Sequence, residues 1–88
     1  MDELQGSMIT VGCQHSHGGH VTTGSSESLL DGKPIARLHD MVDCPLHGPN
    51  SISKVSSDML IDGQPAALHG DMTECGATLI GDGSAVVI

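Results

Sequence analysis

Phenylalanine, tyrosine and tryptophan are all absent from the 88 residues of this chain. Aromatic side chains normally dominate core burial, so the core must come from Val, Ile, Leu, Met and Ala. A domain this short buries a modest share of its surface, and without aromatic bulk it needs an additional staple. Basic residues are also scarce: three Lys and Arg stand against 11 Asp and Glu, a formal charge of −8. That balance argues against nucleic acid and against anionic membrane surfaces, both of which select Lys and Arg. No stretch reaches the roughly 18 apolar residues of a membrane span, so an integral membrane protein is not expected. No basic flank followed by an apolar run suggests a signal peptide. The three cysteines cannot all pair within one chain, and six histidines accompany them. A metal is therefore the better staple.

What the chain does have is internal repetition, which fixes architecture before anything else does. "PIARLHDMVDC" (Pro34–Cys44) lies over "PAALHGDMTEC" (Pro65–Cys75) at a shift of 31, and "VTTGSSESLLDGKP" (Val21–Pro34) lies over "ISKVSSDMLIDGQP" (Ile52–Pro65) at the same shift. A fainter copy starts at Met8, where "MITVGCQHSHGG" follows "IARLHDMVDC" at a shift of 27, and "LIGDGSAVVI" (Leu79–Ile88) follows "ISKVSSDMLI" at 27. The units read 8–34, 35–65 and 66–88, the last stopping before its Asp-Gly-x-Pro. Residues 1–7, polar and ending in Gly-Ser, are set aside as a tail or cloning scar, leaving 8–88 as a single domain.

Each unit reads as strands. "SLLDG" and "DMLIDG" are apolar runs ended by Asp-Gly, a strong hairpin signal. The Pro that follows belongs at a strand start or edge. "VTTGS", "ISKVS" and "TLIGDGS" alternate as half-buried strands do. No helical stripe exceeds two turns. The expected fold is all-β: a compact cone of short strands from three pseudo-threefold units, with few or no helices. Equivalent positions then converge near the axis, and His17, Cys44 and Cys75 are equivalent.

Three ligands on a threefold axis make three corners of a tetrahedron, and structural zinc takes four Cys or His ligands. The fourth must break the symmetry. "CPLHGPNS" (Cys44–Ser51) carries the four extra residues that lengthen one repeat from 27 to 31, and with them His47 in a Cys-x-x-His pattern. His69 is a second symmetry breaker, standing where the other copies have Val11 and Leu38. The candidates are His17, Cys44, His47, His69 and Cys75. Mixed Cys and His ligation favours zinc over oxygen-seeking calcium or magnesium. His15, His20 and His39 read as solvated, and Cys13 as a small buried hydrophobe in place of Asp40 and Asp71.

The segments "HSHGG", "GKPIARLHD", "CPLHGP", "GQPAALHGD" and "ECGATLIGDGS", in this order along the chain, resemble the PAAR-repeat proteins. The name motif Pro-Ala-Ala-Arg appears here as Pro34-Ile35-Ala36-Arg37 and Pro65-Ala66-Ala67-Leu68. The resemblance implies a cone of β-strands that sharpens and caps the trimeric VgrG spike of a bacterial type VI secretion system, assisting membrane puncture and effector delivery. It implies zinc near the apex, held by three His and one Cys. By motif these are His17 of "HGG", His47 of "HGP", Cys75 of "CGA" and, on ligand count, His69; the symmetry argument prefers Cys44 as the fourth. The second copy lacks the Arg, and His39 replaces a usual Gly. It implies a protein of the bacterial cytoplasm before firing, then delivered outside or into a target cell. A chain of this length has no room for a toxin domain, so any effectors are separate proteins. The base opposite the zinc is expected to carry Leu30, Ile35, Ile61, Ala66, Val87 and Ile88.

No catalytic residues are expected, but two other classes compete. A zinc hydrolase needs an open coordination position and a nearby acid or base, and Glu74 is the only glutamate beside a candidate ligand. A metal-transfer protein would use His15, His17, His20 and Cys13 as a mobile chelator.

Overall fold

Gly and Pro recur too often for helix, and the sequence breaks instead into apolar pairs separated by turn residues. The computed structural model describes residues 7–81. Among these residues there is no helix, and the strands are β1 (Leu29–Leu30), β2 (Lys33–Pro34), β3 (Met41–Val42), β4 (Asn50–Lys54), β5 (Leu60–Ile61), β6 (Gln64–Pro65) and β7 (Met72–Thr73). β1 pairs with β2 and β5 with β6 as antiparallel hairpins, while β4 lies between β3 and β7. Both hairpins turn on Asp-Gly with positive φ at each residue, 52° and 80° at Asp31-Gly32 and 54° and 83° at Asp62-Gly63. Two successive left-handed residues make the tight turn whose twist matches the strands it joins.

The threefold relation is visible in the backbone hydrogen bonds. Ile9 N–H donates to the Ala67 carbonyl at 3.0 Å, Ala36 to Ile9 at 2.8 Å and Ala67 to Ala36 at 3.0 Å, so three units close into a ring. Ile9, Ala36 and Ala67 are completely buried, as residues on an axis must be. A parallel ring runs Val11 to Pro34, Leu38 to Pro65 and His69 to Ser7. Ser7 is thus the first unit's counterpart of the motif prolines. It is fully buried.

Successive layers repeat the pattern. Val21, Ile52 and Leu79 fill equivalent core positions, all at 1% exposure or less. They pair with Val42, Thr73 and His15 respectively. Only β4 extends this pairing into a longer strand. "VTTGS" and, as far as residue 81, "TLIGDGS", expected as strands, contribute isolated bridges at Val21, Thr78 and Leu79 instead. The main core joins Ile9, Cys13, Val21, Ala36, Val42, Ile52, Ala67 and Leu79. A second cluster joins Met8, Ile35 and Ala66, with Leu30, Ile61 and Leu68 packed against it. The molecule measures 32 × 31 × 22 Å along its principal axes, and two nearly equal lengths are consistent with a threefold arrangement.

Candidate metal centre

Each unit brings its chain past the axis through a tight turn, and the positions His17, Cys44 and Cys75 lie on those turns. In the first unit the Gly18 N–H closes on the His15 carbonyl at 3.0 Å, and in the third the Gly76 N–H closes on Thr73 at 3.0 Å. In the second the insertion widens the turn, and the Gly48 N–H closes on Cys44 at 2.8 Å. Gly18, Gly48 and Gly76 all have positive φ. His17, His47 and Cys75 therefore each stand just before a left-handed glycine, with Cys44 at the mouth of the widened turn.

The donor atoms of His17, Cys44 and Cys75 all lie within 4.8 Å of one another. His17 Nδ1 is 3.5 Å from Cys75 Sγ and 3.8 Å from Cys44 Sγ. A tetrahedral ion holding sulfur at about 2.3 Å and nitrogen at about 2.0–2.1 Å keeps them about 3.6 Å apart. The spacing and the soft donors suit such an ion. The His47 ring, on the exposed insertion, stands 5.4 Å centroid to centroid from His17.

His69 does not join this group. Its N–H donates to the Ser7 carbonyl and its Nδ1 accepts the Gly81 N–H at 3.0 Å. The reason is positional: 11, 38 and 69 belong to the ring of hydrogen bonds next to Ile9, Ala36 and Ala67, whereas the donors sit beyond a further layer. Of the five candidates the fold gathers His17, Cys44 and Cys75, places His47 beside them and leaves His69 in the wall.

The surroundings of the donors are built. Thr73 Oγ1 accepts the Ala77 N–H and lies 3.2 Å from Cys75 Sγ. Partial burial pushes the Cys75 thiol up, but the Thr73 hydroxyl, the Ala77 N–H, Cys44 and Asn50 outweigh it and hold the thiol below its ordinary range. A depressed pKa favours the thiolate, the form that ligates metal. Asn50 bridges two of the turns, donating to the Gly48 carbonyl at 3.1 Å and accepting the Cys75 N–H at 3.3 Å.

His15 was read as solvated and is instead 2% exposed. It occupies the layer position of Val42 and Thr73. Its Nδ1 accepts the His17 N–H at 3.2 Å, and its Nε2 contacts the Asp43 carbonyl. The missed signal was its register, two residues before a ligand position, where the other units carry core residues. His20 and His39 are exposed and Cys13 is buried in the core, as the sequence suggested. Glu74 Oε1 accepts both the hydroxyl and the N–H of Ser51 at 2.7 and 3.1 Å. Those two bonds hold its carboxyl below the usual range.

Of the expected base residues, Leu30, Ile35, Ile61 and Ala66 share the second cluster, and Val87 and Ile88 lie outside the described residues. Leu29 and Leu60, equivalent at a shift of 31, are 56% and 63% exposed and precede Leu30 and Ile61 in β1 and β5. A family model described as the PAAR motif matches residues 11–81. Comparison with curated proteins gives no match.

Proposed function

Because the chain belongs to the PAAR-motif family, whose model spans residues 11–81, we propose that it is the zinc-stapled tip of a type VI secretion spike. In this reading it caps a trimeric VgrG-type protein, has a structural rather than an enzymatic role, and travels from the bacterial cytoplasm to the outside or into a target cell. His17, Cys44, His47 and Cys75 hold one zinc. When bound, the ion cross-links the three turns. The donor set supports this assignment, since two sulfurs and two imidazoles suit zinc and not oxygen-seeking cations.

The observation that carries the reading is the closed ring through Ile9, Ala36 and Ala67. A single chain with internal threefold order can meet a true trimer unit for unit. The base would be the second cluster with its exposed neighbours Leu29 and Leu60.

The test is co-purification with a VgrG trimer. Leu60→Asp places a charge on an exposed residue next to Ile61 in β5, so it spares the core, whereas Ile61 packs against the cluster and its substitution would disturb folding. A charge desolvated at an interface without a partner costs several kcal/mol (~3–5). Leu60→Asp is expected to keep its metal and its melting temperature and to weaken spike binding at least about 100-fold. Unchanged binding by a folded, metal-loaded variant would contradict the docking face. Failure of the unaltered chain to bind any VgrG trimer would contradict the tip role.

A further inference from the structure

We infer that His15 is a positioning residue for the metal centre, a brace that fixes the distance between the His17 turn and the segment leading into Cys44. The inference rests on the metal reading above and concerns a residue outside the ligand set. One imidazole spans both segments: Nδ1 accepts the His17 N–H at 3.2 Å, and Nε2 faces the Asp43 carbonyl, the residue before Cys44. An amide N–H must donate, so Nδ1 carries no proton and Nε2–H donates to Asp43. Both ring nitrogens are thereby used, and the ring is locked in one tautomer.

Its setting is made for it. The ring is 2% exposed and stands edge-on to the His17 ring, centroids 6.1 Å apart. A Cβ at Gly19 would collide with both the Asp43 carbonyl and the His15 ring, so glycine there is what lets the brace close. The equivalent positions carry Val42, which packs only in the core, and Thr73, whose hydroxyl reaches the Cys75 sulfur. Core packing alone would be satisfied by an aliphatic residue at 15. An imidazole adds a link between two ligand-bearing segments, the arrangement that orients ligands in built metal sites.

The experiment loads the full chain with cobalt(II) and zinc(II), and measures affinity by chelator competition together with the cobalt absorption spectrum. His15→Val supplies the side chain of the second unit and removes both contacts. His15→Asn keeps an acceptor for the His17 N–H, and His15→Gln keeps a donor for the Asp43 carbonyl. The expected result is an affinity loss of about 10–100-fold for His15→Val, with altered thiolate-to-cobalt bands, and intermediate losses for the other two. Melting that falls while affinity and spectrum stay as in the unaltered chain would show a packing role only and overturn the inference. If His15→Val does not fold, unchanged affinity in both His15→Asn and His15→Gln overturns it equally. An unaltered chain that binds neither metal would overturn the metal centre itself and His15's role with it. Binding that the His15 variants leave untouched overturns the brace alone.

Discussion

Some residues of this molecule pack in the core and others face the donor cluster. Cys13 and Cys75 show the contrast. Cys13 sits in the core and its sulfur stands 3.4 Å from the Thr10 N–H. Cys75 faces His17 Nδ1. Cys13→Ala is expected to retain metal and lose about 1 kcal/mol, whereas Cys75→Ala should lose tight metal binding, as measured by metal content after dialysis. The same assay distinguishes the fourth donor. Cys44→Ala should release metal, and His69→Ala, whose Nδ1 accepts the Gly81 N–H outside the His17, Cys44 and Cys75 group, should keep it. The reverse result would restore His69 as a ligand. Arg37 has another kind of role. Its guanidinium binds Asp40 at 2.9 Å and Asp62 at 3.2 Å, joining a turn of the second unit to the next hairpin. The hydrogen bond to Asp40 leads the influences that hold its pKa above the ordinary value.

Among the elements, the three turns at 10–13, 37–40 and 68–71 repeat one design. In each, the last N–H closes on the first carbonyl at 3.0 Å. The first N–H is met by the side chain at the end of the turn, Asp40 at 2.8 Å, Asp71 at 2.7 Å and the Cys13 sulfur at 3.4 Å. The third residue has positive φ in all three, 97° at Gly12, 76° at His39 and 94° at Gly70. A non-glycine residue there costs roughly 1–2 kcal/mol of local strain, partly offset by the greater entropy that glycine loses on folding. The His39 side chain is exposed. His39→Gly is therefore expected to stabilise the metal-loaded protein by about 0.5–1 kcal/mol. A rise in melting temperature of about 2–8 °C would register it; a fall would mean that the His39 side chain contributes more than the strain it causes.

At the scale of the whole molecule, an aliphatic core and rings of backbone hydrogen bonds hold three units about one axis, and the donors gather where the turns meet. Metal that binds only the folded state adds about 4 kcal/mol at a thousandfold excess over its Kd, or about 15–30 °C in a domain this size. Stripping with a strong chelator should lower the melting temperature by that order. A metal-free chain that melts unchanged would refute the staple. The sign with pH follows from the donors. Ligation needs thiolate and neutral imidazole, so the added stability is present at neutral pH and is lost as acid protonates the donors. Titration of metal retention against pH at fixed metal concentration checks this.

The repeat shifts of 27 and 31 and the Asp-Gly signals carried the architecture, because turn chemistry and hydrophobic register are local properties written into adjacent residues. They fixed the all-β class, both hairpins and the equivalence of His17, Cys44 and Cys75. The choice between Cys44 and His69 was not local. Both are plausible donors by type, and only the stacking of hydrogen-bond layers puts one beside His17 and the other against Gly81 and Ser7. His15 shows the same limit. Its identity alone suits solvent, ligand or core, and burial with two partners 2 and 28 residues away decided its role. The closure of Ser7 onto His69 likewise depends on the first and third units meeting across the ring. Sequence determines which residues are equivalent; only closure about the axis sets which equivalent atoms come within bonding distance, because that distance depends on all three units at once.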